Sequence, residues 1–89
     1  MPRVSAFDGI VIWMYYDEPQ HQGRAHFHAC HGDDEATIDV EAPAVIAGQL
    51  SQSVRRVLLA WAREHRAQLR ENWARAARHE PLVRIDPPS

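Results

Sequence analysis

Hydrophobic positions follow two rhythms along this chain. Between residue 9 and about residue 50 they come in short β-branched runs or at every second position, and from Val54 onward they recur three or four residues apart. A period of two marks a strand with one buried face, and the wider spacing marks one face of a helix. The run Ile10-Val11-Ile12-Trp13-Met14-Tyr15-Tyr16 follows Gly9 and reads as a strand. It is apolar on both parities, which predicts cover on both faces. Asp17 to Gly23 is polar and holds both Pro19 and Gly23, so it reads as a loop.

The next strand alternates. Ala25, Phe27 and Ala29 share one parity, while His26, His28 and Cys30 share the other. Burying the apolar set predicts both imidazoles and the thiol on the opposite surface. His31-Gly32-Asp33-Asp34 then reads as a turn. From Glu35 to Glu41 the pattern predicts Ala36, Ile38 and Val40 inward, with Thr37, Asp39 and Glu41 outward. Beyond Pro43, Val45 to Leu50 suits a short fourth strand. Strands joined by such short links pair antiparallel, as a meander.

Ser51 suits a helix N-cap. Val54, Val57, Leu58, Trp61, Leu69, Trp73 and Ala76 then share one helical stripe, which predicts core positions for both tryptophans. A straight helix over 52–78 is about 40 Å long, and a domain of this size only about 25–30 Å across. A bend or break near Glu64-His65-Arg66 is therefore expected. Leu82 to Ile85 suits a short final strand, and Pro87-Pro88-Ser89 a loose tail. The expected architecture is α+β: a meander of three to four strands within about 9–50, packed against a bent or broken helical segment at about 52–78, with a tail at 79–89, all in one domain.

Charge changes this picture more than overall composition does. The net charge of −2 hides a split: residues 1–50 hold two arginines against eight acids, and residues 51–89 hold eight arginines against four acids. The chain contains no lysine. Such halves attract one another within a small domain, or steer a charged partner. Cys30 is the sole cysteine, so no intrachain disulfide forms. Without an apolar leader or a run near the ~20 residues that span a bilayer, the expected location is the reducing cytoplasm, away from membranes.

Two groups of residues carry candidate chemistry. The first is His26-x-His28, whose Cα atoms stand about 6.5–7 Å apart on one strand face. With Cys30 and His21 they form a candidate ligand set for a divalent transition metal such as zinc, any missing ligands coming from Asp17, Glu18, Asp39 or a second subunit. As an acid–base pair, His26 and His28 suit metal-independent cleavage of an RNA phosphodiester, with Arg24 on the phosphate and Tyr15 or Tyr16 orienting it. Equally, the imidazoles suit plain support of the sheet through bonds to carbonyls and Tyr side chains. The second group is Arg55, Arg56, Arg63, Arg66 and Arg70, which fall within one sector of a continuous helix. That face suits solvent, nucleic acid phosphates or an acidic protein. The absence of lysine and the acidic net charge disfavour dedicated DNA binding, while RNA stays open. No P-loop, dinucleotide fingerprint, paired cysteine motif or nucleophile elbow is present.

Phe7 through Gly9-Ile10, Met14-Tyr15, His26-Phe27-His28-Ala29, Ile38-Asp39, Gly48-Gln49-Leu50, Trp61 and Asn72-Trp73 occur in an order that resembles the small bacterial family catalogued as domain of unknown function 4160. The resemblance covers nearly the whole chain. Two departures stand out: Arg24-Ala25 replaces the family's Pro-Pro, and His21 is displaced by one residue from the family's loop histidine. The resemblance implies no established activity. It implies half of a two-gene unit, encoded beside another small protein in a toxin–antitoxin-like arrangement. The expectation is thus a small interaction protein with a nearby-encoded partner or a second copy of itself. A small RNA-cleaving enzyme and a histidine-based metal-binding module are the alternatives.

Overall fold

Asp8 and Gly9 both lie at positive φ, 51° and 76°. A two-residue hairpin turn of type I′ demands this backbone, and the Asp-Gly pair tolerates it. The computed structural model describes residues 2–16 and 24–88. The turn joins β1 (Arg3–Phe7) to β2 (Ile10–Trp13), with Phe7 opposite Ile10. Next come β3 (His26–His31), β4 (Asp34–Asp39) and β5 (Val45–Gly48). Among the described residues these form one antiparallel sheet in chain order, β1-β2-β3-β4-β5. The meander is as expected, with one more strand than the pattern suggested. β1 escaped because a bulge between Arg3 and Ser5 spoils its alternation, leaving Val4 and Ser5 both buried.

Residues opposite one another in an antiparallel pair share a face. By register, Ile10, Ile12, Phe27, Ala29, Ala36 and Ile38 line one face, and all are buried. Helix α1 (Gln52–Glu64) covers that face, with the Trp61 ring 5.4 Å from Phe7 and 6.0 Å from Phe27. Ser51 caps the helix, its Oγ accepting from the Val54 N–H at 3.3 Å. Leu58, Trp61 and Ala62 carry the buried stripe, whereas Val57, expected inside, is 40% exposed at its margin.

The helical segment breaks at His65. Its N–H donates to the Trp61 carbonyl and its own carbonyl accepts from the Leu69 N–H, so one residue ends α1 and starts α2 (Arg66–Ala77). The largest dimension of the molecule is 34 Å, shorter than the straight helix of about 40 Å. Leu69 and Ala76 are buried after the turn. No helix among the described residues is long and apolar enough to cross a membrane.

Leu82 to Ile85 does not form the final strand that was expected. It is held by irregular bonds instead. The Ile85 N–H donates to the Val4 carbonyl at 3.0 Å, and the Ser5 hydroxyl donates to the Ile85 carbonyl at 2.8 Å. Buried Asn72 donates to the Val83 carbonyl and accepts from the Val83 N–H, each at 2.8 Å. The segment thereby covers the outer edge of β1. Across the sheet, the outer edge of β5 has no strand beside it among the described residues.

Gly48 holds β5 close to β4. It lies at φ 76°, and a Cβ there would run into the Glu35 carbonyl oxygen and sit 2.9 Å from the Ala36 Cα, both backbone atoms. Gly48→Ala is expected to lower unfolding free energy by about 2–3 kcal/mol, from left-handed strain plus displaced backbone. Gly9→Ala meets only the His31 ring at 3.4 Å and should cost about 1–2 kcal/mol. Urea denaturation of both variants checks the ranking.

Candidate functional site

His26, His28 and Cys30 alternate along β3 and share the face opposite Phe27. The register sets Asp39 beside His26, Thr37 beside His28 and Glu35 beside Cys30 on the β4 side. On the β2 side Trp13 stands opposite His28, and Val11 opposite Cys30. The two imidazole centroids lie 5.3 Å apart, almost perpendicular. His28 stacks on Trp13 at 5.6 Å and meets Tyr15 edge-on at 5.0 Å. From α2, Trp73 brings its ring to 4.8 Å from His26.

The pair shares a face and differs in access. His26 is 1% exposed, while His28 is half-buried. Thr37 and Asp39, expected outward with them, are buried as well. Parity alone assigned this face to solvent; Trp13 and Trp73 instead lay rings over it, making a second, mixed aromatic and polar layer. Trp13 is buried, and its indole N–H has no acceptor among the described residues. Sequence reading missed this Trp13 role, although its parity in β2 relative to His28 becomes evident once β2 and β3 are paired.

Hydrogen bonds fix the imidazoles individually. The His26 Nδ1 lies 2.7 Å from the Arg24 carbonyl oxygen; a carbonyl only accepts, so Nδ1 carries the proton. The His28 Nδ1 is 3.3 Å from the Thr37 hydroxyl. Arg24 donates from Nε to the Asp39 carboxylate at 2.9 Å, and the second Asp39 oxygen accepts from the Ala42 N–H at 2.9 Å. Buried Asp39 thus ties the entry of β3 to the turn before β5. Arg24, proposed from sequence as a phosphate holder, is engaged in that tie. Tyr15 is 42% exposed at the rim.

Cys30 lies two residues beyond His28 on the same face and is partly buried. Among the described residues, no group of three or more His, Cys, Asp or Glu side chains is placed to hold a metal ion. His21, with Asp17 and Glu18, lies outside the described residues.

The arginine set divides at His65, because the break ends the common helical sector. Arg70 on α2 grips Glu41 with Nε 2.9 Å from both carboxylate oxygens and a second guanidinium nitrogen 2.6 Å from one. That hydrogen-bonded pairing lowers the Glu41 pKa below its usual value, with a further contribution from Arg66. Here the basic half does bind the acidic half. Arg55, Arg56 and Arg63 on α1 are exposed, and none forms an ion pair among the described residues.

Residues 9–74 match the model of a family described as a domain of unknown function, DUF4160. No curated protein and no solved structure matches the chain.

Asp39→Ala removes both carboxylate bonds, leaving the Ala42 N–H without its acceptor and Arg24 without its anchor. An unmade buried hydrogen bond costs about 1–3 kcal/mol, so a loss of that size is expected in urea denaturation. A variant as stable as the parent would deny Asp39 its tying role.

Proposed function

We propose, from the premise that this chain belongs to the DUF4160 family, that it is a small interaction protein acting through the exposed arginine face of α1. Its partner in this reading is a small protein encoded nearby, the other half of a bacterial, toxin–antitoxin-like module in the cytoplasm. The observation that carries it is that all three arginines of α1 are exposed with no ion pair among the described residues. Arg24, Arg70, Arg75 and Arg78 each meet a carboxylate within 4 Å. Arg55, Arg56 and Arg63 have none among the described residues. No acidic residue occupies the first turn of α1, so Arg55 and Arg56 stand near the positive end of the helix dipole, where cations are disfavoured. Arg63 suits the last turn of α1, but Arg55 and Arg56 gain nothing from their place on the helix and supply a cationic surface to an anionic partner.

RNA cleavage by His26 and His28 is the second reading, and the contact between their rings favours it. The 1% exposure of His26 weighs against it, since an acid–base pair must reach the scissile phosphate.

The nearby-encoded protein, co-expressed with this chain, is expected to elute with it in gel filtration, and the triple change Arg55→Glu, Arg56→Glu, Arg63→Glu to separate them. Two peaks with the unaltered chain would sink the interaction reading. RNA incubated with the purified protein should stay intact. Cleavage that disappears in both His26→Ala and His28→Ala would install the enzyme reading instead.

A further inference from the structure

We propose that the partner arrives as an acidic, extended segment that adds to the open edge of β5 and sets its carboxylates against Arg55 and Arg56. This deepens the reading of the α1 face and rests on it. The two sheet edges are treated differently. β1 is covered by the C-terminal segment through the Ile85–Val4 and Ser5–Ile85 bonds. β5 has β4 on one side and no strand on the other among the described residues.

Edge strands that must stay unpaired usually carry charge or proline. β5 reads Val45-Ile46-Ala47-Gly48, with neither, and Ala47, Gly48 and Gln49 are exposed. Small side chains there let a second backbone approach. A peptide strand matches a row of N–H and C=O groups in kind.

The bulge in β5 limits that match. Thr37 faces Ala47 and Ile38 faces Val45, so Ile46 is the extra residue. Pairing is confined to a few residues, and backbone bonds alone give a weak complex. Charge supplies the rest. β5 ends at Gly48 and α1 begins at Gln52, so three residues spanning at most about 14 Å join the strand to the helix that carries the arginines.

Charge also selects the occupant. A second copy pairing through its own β5 offers a strand, Val45-Ile46-Ala47-Gly48, that itself carries no carboxylate for the guanidinium groups. RNA would satisfy the arginines and leave the strand edge unmatched.

The test uses the full chain and a labelled peptide, acetyl-Val-Glu-Val-Glu-Val-Glu, followed by fluorescence anisotropy. Alternate-amide N-methylated versions of the peptide keep its charge and block strand pairing on one side or the other. Arg55→Glu with Arg56→Glu is expected to weaken binding about tenfold. One N-methylated version should show a similar loss, and the outward-facing amide of Gly48 should gain protection from hydrogen exchange when the parent peptide binds, while that of Gln49, already bonded to the Glu35 carbonyl, should not change. Equal binding by every N-methylated version would overturn strand addition. Tighter binding of a single-stranded RNA oligonucleotide at the same arginines would overturn the choice of a peptide. Sedimentation showing a dimer whose β5 amides are already protected would assign the edge to a second copy and overturn the proposal. If the nearby-encoded protein elutes with the chain and the peptide does not bind, this inference falls while the proposed function stands. Peptide binding as expected, with no co-elution, supports the surface and sinks the proposed partner.

Discussion

Trp61 is where the sheet, α1 and the C-terminal segment are joined. Its ring packs on Phe7 of β1 and Phe27 of β3. Its indole N–H reaches out of that apolar contact to donate to the Asp86 carbonyl at 2.9 Å. A buried tryptophan contributes large apolar area and must place its N–H; here one side chain does both. Truncating such a ring typically costs about 3–5 kcal/mol, against total stabilities of about 5–15 kcal/mol. The position of α1, and with it the direction in which Arg55, Arg56 and Arg63 face, follows from this contact.

The opposite face of the sheet is built differently. Its members include His26, His28, Thr37 and Asp39, groups that stay inside only when bonded. Each is: to Arg24, to one another, or to the turn before β5. Aromatic rings from Trp13, Tyr15 and Trp73 pack against the imidazoles. The face is therefore a covered polar layer with half-buried His28 toward its rim, more a constraint on how β3 and β4 register than an open reaction centre.

Much of the fold was legible in residue order. The alternation of β3 and β4, the Ser51 cap, and the conflict between helix length and domain diameter near His65 each have one physical reading. Other features were hidden. Asp8-Gly9 is itself a strong hairpin signal, but the bulge in β1 removes the period of two that marks a strand. Parity placed His26, His28 and Asp39 on a common face, but parity is silent on what covers that face. The shared sector drawn through all five arginines assumed an unbroken helix, even though a break was expected. Ion pairing between Arg70 and Glu41, 29 positions apart, depends on packing that local spacing does not encode.

The covering of β1 has a kinetic side. Sheet order equals chain order, so the hairpins that can be described, β1-β2, β3-β4 and β4-β5, close over short loops. The Ser5–Ile85 bond spans 80 positions. Long closures are entropically costlier and form late when local contacts dominate. On that ground the C-terminal residues are expected to dock after the meander exists. Until they dock, the outer edge of β1 is as uncovered as that of β5 is, among the described residues, in the finished fold.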